Sequence, residues 1–185
     1  LKELAAYEAE WNTKTLTANV NAEFVTPTAE QVWAAAEFQP LSLNDKPVDF
    51  TKLMDDWGET EVARLVTGVK MGFVQGQTTR QIVKNVVGAG GLADISERNA
   101  ATVIRTALSH VSNEARNETY RQNDDIIKKY EWVSTLDSRT STICRARDGM
   151  TWEIGKGPMP PAHPNCRSTT APVISSEFDF LNKGA

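Results

Sequence analysis

The sequence predicts a mainly α-helical protein with a small β-hairpin and loop module at its C-terminal end, an α+β arrangement. Three observations support this fold class. Apolar residues recur at intervals of three and four through much of residues 50–115, which is the periodicity of amphipathic helices. Aromatic and β-branched residues at 130–134 and 150–154 precede and follow an Asp-Gly turn signal at 148–149, which favours a hairpin. Four prolines and two glycines in residues 155–164 then predict a loop.

The composition is typical of a folded globular protein and excludes several classes. The 185 residues are 40% hydrophobic and 24% charged, close to the globular average. A net charge of −4 argues against a protein whose whole surface binds nucleic acid. No apolar run approaches the ~18 residues of a membrane span and no signal peptide is evident, so we expect no membrane partner. Two cysteines exclude a disulfide-rich scaffold, and a first residue other than Met, Leu1, leads us to expect an upstream segment.

The chain divides into three predicted segments: an N-terminal helical segment 1–49, a helical body 50–125, and a hairpin and Cys/His loop module 126–185. The first twenty residues are predicted to form a helix whose apolar stripe contains Leu4, Tyr7 and Trp11. A second helix is expected to start at Pro27, because proline is preorganised for the first helical position. The polar, proline-containing stretch 39–49 is predicted to be a hinge.

Three helices are predicted in the helical body. The first should end at Gly76, and Thr78 should begin the next through a capping box. A glycine-rich linker is expected at 88–91, before Ser96 caps the most strongly periodic helix of the chain. His110 lies on that helix beside the apolar face, and we expect it to be packed or solvated instead of catalytic.

The C-terminal module contains a candidate metal site. His163 and Cys166 are separated by two residues, so both can face one ion, and Cys144 can complete the group from across the hairpin. Thiolate and imidazole ligands favour zinc, with Asp137 and Asp148 as candidates for a fourth ligand. The alternatives are two free thiols or a Cys144–Cys166 disulfide, which would stabilise the module by about 3 kcal/mol in the loop-entropy model. The spacing alone does not choose among them.

A second set of residues is expected to have a structural role. Asp137, Arg139 and Thr140 can connect a strand end to the loop through bidentate hydrogen bonds, and Arg167 can join the same network. No Ser-His-Asp arrangement and no paired-carboxylate motif is evident, so we expect no enzymatic activity.

Basic side chains are concentrated in the same module of an otherwise acidic chain. Arg145, Arg147 and Lys156 accompany Arg139 and Arg167, with few acidic neighbours. Such a group can contact DNA phosphates without reading the base sequence. Pairing with acidic groups inside the module is the equally weighted alternative.

The order of these residues resembles the C-terminal signature of the minor head proteins of tailed bacteriophages, the head morphogenesis family that includes the F protein of phage Mu. The matching positions are Trp132, Asp137, Arg139, Thr140, Cys144, Asp148, Gly149, Pro160, Pro161, His163, Pro164, Cys166 and Arg167. Many relatives have further cysteines at the positions of Ser141 and Ser168, so this chain lacks two of their soft ligands.

The resemblance implies a virion structural protein near the portal that acts in head morphogenesis and in retention or ejection of packaged DNA. Its expected partners are the portal protein, the major capsid protein and packaged double-stranded DNA. Its expected location is the phage head, assembled in the host cytoplasm. The alternatives are a DNA-contacting module inside the head, or a metal-dependent nuclease or hydrolase in which zinc activates water.

Overall fold

The computed structural model of the protein describes residues 1–55, 59–87 and 97–174. In these ranges the helices are α1 (Lys2–Asn19), α2 (Ala29–Phe38), α3 (Phe50–Asp55), α4 (Glu59–Val74), α5 (Thr79–Val87), α6 (Glu97–Gln122) and α7 (Thr142–Arg147). The strands are β1 (Leu41–Leu43), β2 (Lys46–Val48), β3 (Ile127–Val133), β4 (Thr151–Glu153) and β5 (Thr169–Ile174). The predicted class, mainly α with a small C-terminal β module, is confirmed.

Helix α6 is the centre of the helical bundle, the name used below for α1–α6. Both α1 and α2 pack against α6 and against each other. The residues at these crossings are small: Ala5, Ala9, Ala36, Ala107 and Ala115 are all at most 3% exposed. One apolar cluster extends from the first residue of the chain to the middle of α6, so the segments predicted to divide at 49/50 share a single core.

The apolar stripe predicted for α1 is partly wrong. Leu4 is buried, but Tyr7 is 52% exposed and Trp11 is 45% exposed. Alanines occupy the buried side of α1 because a close approach to α6 leaves no room for aromatic rings. The two rings cover the edges of that contact instead, with Tyr7 against the ring of Phe73 and Trp11 beneath the guanidinium of Arg116.

The segment predicted as a hinge, 39–49, is a β-hairpin. Strands β1 and β2 pair antiparallel across a turn in which Asn44 and Asp45 both have positive φ, the backbone conformation of the tightest hairpin turns. The amide of Asn44 donates to the carbonyl of Ala162 at 2.7 Å, and Asp45 pairs with Arg147 at 2.8 Å. The hairpin therefore joins the bundle to the C-terminal part of the chain.

Several helix boundaries agree with the sequence. The capping box at Thr78 is present, and Gly76 follows α4 with φ of 68°, as a C-terminal glycine should. Helix α2 begins at Ala29, two residues later than the predicted start at Pro27, because Thr28 is its N-cap and forms a capping box of its own. The predicted linker 88–91 and the predicted cap at Ser96 lie outside the described residues.

The end of α6 is fastened to the segment after α1. The side-chain oxygen of Asn123 accepts a hydrogen bond from the amide of Val25 at 2.6 Å, and its nitrogen donates to the Val25 carbonyl at 2.9 Å. A buried asparagine thus satisfies both backbone groups of a residue far away in sequence. The bundle is closed at this end by polar contacts in addition to its apolar core.

The β3 module, the name used below for residues 127–174, contains a three-stranded antiparallel sheet with β3 in the middle. The predicted pairing of its first two strands is confirmed, with Tyr130 opposite Trp152. Strand β5 and helix α7 were not predicted. Gly157 lies so close to Tyr130 and Trp152 that any Cβ there would meet them at 2.3 Å. In the part of the chain that the structure describes, no helix combines the length and the apolarity needed to cross a bilayer.

Candidate functional site: a cysteine and histidine cluster

Helix α7 positions Cys144. Ser141 is the N-cap of this helix, and its hydroxyl accepts a hydrogen bond from the Cys144 amide at 3.3 Å. The Cys144 carbonyl accepts a hydrogen bond from the hydroxyl of Ser134 at 2.9 Å, so the strand end holds the other side of the residue. Cys144 is consequently buried, with 3% of its surface exposed.

A tight turn positions His163 and Cys166. The Cys166 amide donates to the His163 carbonyl at 3.1 Å, and Asn165 between them has φ of 59°, which asparagine tolerates. Asn165 is fastened to α6, because its amide donates to the hydroxyl of Thr106 and its side chain donates to that of Thr102. The loop that carries these two side chains is therefore fixed to the central helix of the bundle.

The three predicted side chains converge on one point. The sulfurs of Cys144 and Cys166 lie 3.6 Å apart, and Cys144 Sγ lies 3.2 Å from His163 Nε2. All three candidate ligand atoms lie within 4.8 Å of one another. Both cysteines are free, so the Cys144–Cys166 disulfide considered from the sequence is not formed in this structure. Burial raises the pKa of the Cys166 thiol, and the neighbouring Cys144 acts in the same direction.

The orientation of the His163 ring follows from its backbone contact. His163 Nδ1 lies 2.9 Å from the carbonyl of Pro164. A carbonyl only accepts hydrogen bonds, so this contact assigns a proton to Nδ1, and the tautomer that fits it has its lone pair on Nε2. Nε2 faces the cluster and lies 2.8 Å from the hydroxyl of Ser141. In that tautomer Nε2 is an acceptor on the side of the Cys144 thiol.

A tryptophan covers the inner side of the cluster. Trp132 is fully buried and packs with the two cysteines and Ala162. Its indole N–H donates to the hydroxyl of Ser134 at 3.0 Å, and the guanidinium of Arg147 lies 5.2 Å from its ring centre. The cluster is thus shielded from water on one side by aromatic and apolar surface.

A bidentate ion pair lies beside the cluster. Both nitrogens of the Arg167 guanidinium donate to the Asp137 carboxylate, each at 2.7 Å. The Arg139 amide donates to the same carboxylate at 2.8 Å, and the Asp137 amide donates to the hydroxyl of Thr140. Arg167, followed by the Arg139 amide, holds the pKa of Asp137 well below its usual range. This geometry is the structural network that the sequence predicts for these residues.

The structure does not place either predicted aspartate in the cluster. Asp137 is occupied by Arg167, and Asp148 accepts a hydrogen bond from the amide of Ser134 at 2.7 Å. Both aspartates serve as partners of the surrounding backbone and loops, so neither is a fourth ligand. The group that does reach the cluster is Ser141, whose hydroxyl lies 2.8 Å from His163 Nε2. The sequence marks this position, three residues before Cys144, only as one at which many proteins of the resembled family have a cysteine, so the approach of its hydroxyl was not predicted.

Three remaining motif positions shape the loops around the site. Gly149 has φ of 74° after α7, and its amide donates to the Trp132 carbonyl at 2.9 Å. Pro161 is buried and follows a cis peptide bond. Pro164 supplies the carbonyl that orients the His163 ring. Each residue therefore positions backbone and contributes no ligand atom.

The basic side chains of the module divide into internal and external groups. Arg147 is 17% exposed and pairs with Asp45, so the prediction that it is available to DNA is wrong. Lys156 is exposed and pairs with Glu153. Arg139 is 78% exposed, and Arg145 is an exposed residue that donates to the backbone carbonyl of Asp137. Of the three basic residues that the sequence singles out for DNA contact, Arg145 and Lys156 are therefore external, as is Arg139.

Comparison with known proteins gives one match. The family model described as phage Mu protein F like protein matches residues 63–171, more than half of the chain. The matched range contains most of α4, all of α5 and α6, and the whole cysteine and histidine cluster. Neither the curated proteins nor the solved structures contain a significant match. On the strength of the family match, the chain belongs to the phage Mu protein F like family, a family of phage head-related proteins.

Proposed function

We propose that this protein is a minor component of the phage head that acts near the portal, in head morphogenesis and in retention or ejection of packaged DNA. The portal protein and the major capsid protein are its proposed partners, and the virion, assembled in the host cytoplasm, is its proposed location. The proposed role is structural and involves no catalysis.

The family match is the observation that carries this proposal, because members of the family are phage head-related. The chemistry of the described residues is consistent with a structural role. His110 is buried, its ring nitrogen lies 2.7 Å from the Ala36 carbonyl, and burial lowers its pKa to about 4. The carboxylate of Asp137, beside the cysteine and histidine cluster, is held by both terminal nitrogens of Arg167 and is therefore poorly placed to act as a general base.

Deletion of the gene from the phage that encodes it tests the role in assembly. We expect the yield of infectious particles to collapse, with heads that are misassembled or empty by electron microscopy. Expression of the wild-type chain from a plasmid should restore the yield, which controls for effects on neighbouring genes. Deletion mutants that assemble normal heads, package DNA and deliver it would contradict the proposal.

Cross-linking of purified heads tests the proposed position. Exposed lysines on both parts of the chain, Lys14 and Lys84 on the bundle and Lys128 and Lys156 on the β3 module, are available to an amine-reactive cross-linker. We expect cross-links from these lysines to the portal protein. Cross-links to the major capsid protein alone, distributed over the shell, would contradict a position near the portal.

A DNA-contacting role within the head is the second candidate. Arg139 and Arg145 favour it, because both are exposed and lie beside the same loop of the β3 module. Charges so placed can neutralise phosphates without base recognition, and affinity for duplex DNA should then fall steeply as salt rises. An Arg139→Gln and Arg145→Gln double variant should show a shallower salt dependence, whereas Lys14→Gln on the bundle should not. An affinity that does not change with salt removes this role.

A further inference from the structure

We propose that the cluster is a structural zinc site in which Cys144, His163 and Cys166 bind the ion and the Ser141 hydroxyl lies at the fourth position. The site goes beyond the assembly role, and its test does not depend on that role. Two short pairs form it, Ser141 with Cys144 and His163 with Cys166, each with two residues between its members. Paired ligands at this spacing are typical of structural zinc sites.

The distances between the ligand atoms agree with tetrahedral coordination. Zinc–sulfur bonds of about 2.3 Å at tetrahedral angles hold two thiolates about 3.8 Å apart. The sulfurs of Cys144 and Cys166 are 3.6 Å apart, and His163 Nε2 is 3.2 Å from Cys144 Sγ. An ion therefore needs only small outward movements of side chains that already face one another.

The histidine is oriented as a zinc ligand requires. Zinc binds the unprotonated ring nitrogen, and metal-bound histidines usually donate their other ring N–H to a carbonyl or carboxylate. His163 satisfies both conditions, because Nδ1 contacts the Pro164 carbonyl and Nε2 faces the thiols. The contact of Nδ1 with the Pro164 carbonyl fixes the orientation of the ring in the absence of an ion.

Ser141 completes the polar group at the fourth position. Its hydroxyl lies 2.8 Å from His163 Nε2 and 3.3 Å from the Cys144 amide. The hydroxyl thus lies within the cluster, next to two of the three proposed ligand residues. As a neutral oxygen it is a much weaker zinc ligand than a thiolate, so the site as built depends on its three stronger ligands.

The position of the site explains what an ion would stabilise. Cys144 lies on α7, whereas His163 and Cys166 lie on the loop that Asn165 fastens to α6. One ion would join these elements in a module whose buried apolar cluster around Trp132 holds few residues. Where a core is small, a metal can contribute stability that packing does not supply.

Titration of the full chain with zinc tests the proposal. The protein is purified under reducing conditions, stripped with a chelator and titrated against a chromogenic zinc indicator. We expect one zinc per chain by elemental analysis and a rise in melting temperature on binding. Cobalt in place of zinc should give the visible spectrum of a tetrahedral ion with thiolate charge-transfer bands. Absence of stoichiometric binding by the folded, reduced chain overturns the proposal.

Two single serine-to-cysteine variants, one in the cluster and one outside it, test the geometry without breaking the fold. In Ser141→Cys a thiolate replaces the hydroxyl at the fourth position, and zinc affinity should rise by roughly tenfold or more. Ser138→Cys is the matched control, because Ser138 is exposed in the same loop and outside the cluster, so its affinity should equal that of the wild type. Equal affinities of the two variants would overturn the assigned fourth position. A Cys144→Ser variant that binds zinc like the wild type would overturn the site.

Discussion

The helical bundle buries alanine and aliphatic side chains along α6, whereas the β3 module buries a few larger side chains in two small clusters and joins its loops through charged and hydroxyl groups. Apolar packing in the bundle extends from Leu1 to Ala115 and is distributed over many small contacts. In the module the loops are held by individual polar contacts, such as the pair of Arg167 with Asp137. We therefore expect the bundle to tolerate single substitutions better than the module does.

Truncation of the buried tryptophan should have the largest effect. Trp132→Ala removes the wall of the cysteine and histidine cluster, and such truncations cost about 3–5 kcal/mol. Ile104→Ala in α6, at 1% exposure, is the bundle counterpart. Hydrogen exchange should show lost protection confined to the β3 module in Trp132→Ala and reduced protection throughout α1, α2 and α6 in Ile104→Ala. Identical exchange patterns would mean that the two regions unfold as one unit.

A pH experiment addresses the exception in the bundle, where the ionisable side chains of His110 and Glu114 are buried on α6. Burial raises the pKa of Glu114 to about 7, with the nearby Glu118 adding to the rise and Arg121 opposing it. Burial lowers the pKa of His110 to about 4. As the pH falls from 7 to 5, protonation of Glu114 stabilises the fold, whereas the cost of keeping His110 neutral destabilises it. The two effects oppose each other in the wild type.

The Glu114→Gln variant should reveal the loss of stability that the buried, neutral His110 causes as the pH falls. The variant lacks the stabilisation that acidification gives through Glu114, so its unfolding free energy should fall between pH 7 and 5 by about 2 kcal/mol more than that of the wild type. Denaturant unfolding at several pH values measures the difference. Parallel pH profiles for the two proteins would show that Glu114 is already ionised in the fold at neutral pH.

The smallest effect should come from the exposed ion pair of the module. The pKa of Asp137 lies below its usual range, so its contribution is present at neutral pH and is lost when acid protonates the carboxyl. Asp137→Asn should increase hydrogen exchange around residues 135–140 without changing α6. Glu153→Gln, which breaks the exposed pair with Lys156, is the control and should change less. An equal change in hydrogen exchange in both variants would show that the bidentate pair orders its loop no more than the exposed pair of Glu153 and Lys156 does.

Helix periodicity and capping were readable from the sequence because they are local. The stripe of α6 and the capping box at Thr78 depend on residues within one or two turns. Strand β5 was missed because Ala171 and Pro172 interrupt its β-branched residues, and proline is rare inside strands, whereas its pairing with β3 is decided by contacts across the sheet. The exposed Trp11 was misassigned because periodicity does not reveal which helix face is lined by alanines.

The candidate site was partly predictable for a similar reason. Ordered spacing identified Cys144, His163 and Cys166, and these three do converge. The assignment of Asp137 and Asp148 as ligands failed because a sequence does not show that their carboxylates are already occupied by a guanidinium and a backbone amide. The role of Asn165 in fixing the loop to α6 depends on contacts across about sixty residues of chain and has no local signal.

The double contact between Asn123 and Val25 has a consequence for synthesis on the ribosome. It spans 98 residues, and at roughly 5–20 residues per second the two partners emerge on the order of ten seconds apart. During that interval α1 is exposed without α6, the helix it packs against. Its buried face consists of two leucines, two alanines, an asparagine and a threonine. A nascent chain therefore exposes little apolar surface for aggregation before α6 is synthesised.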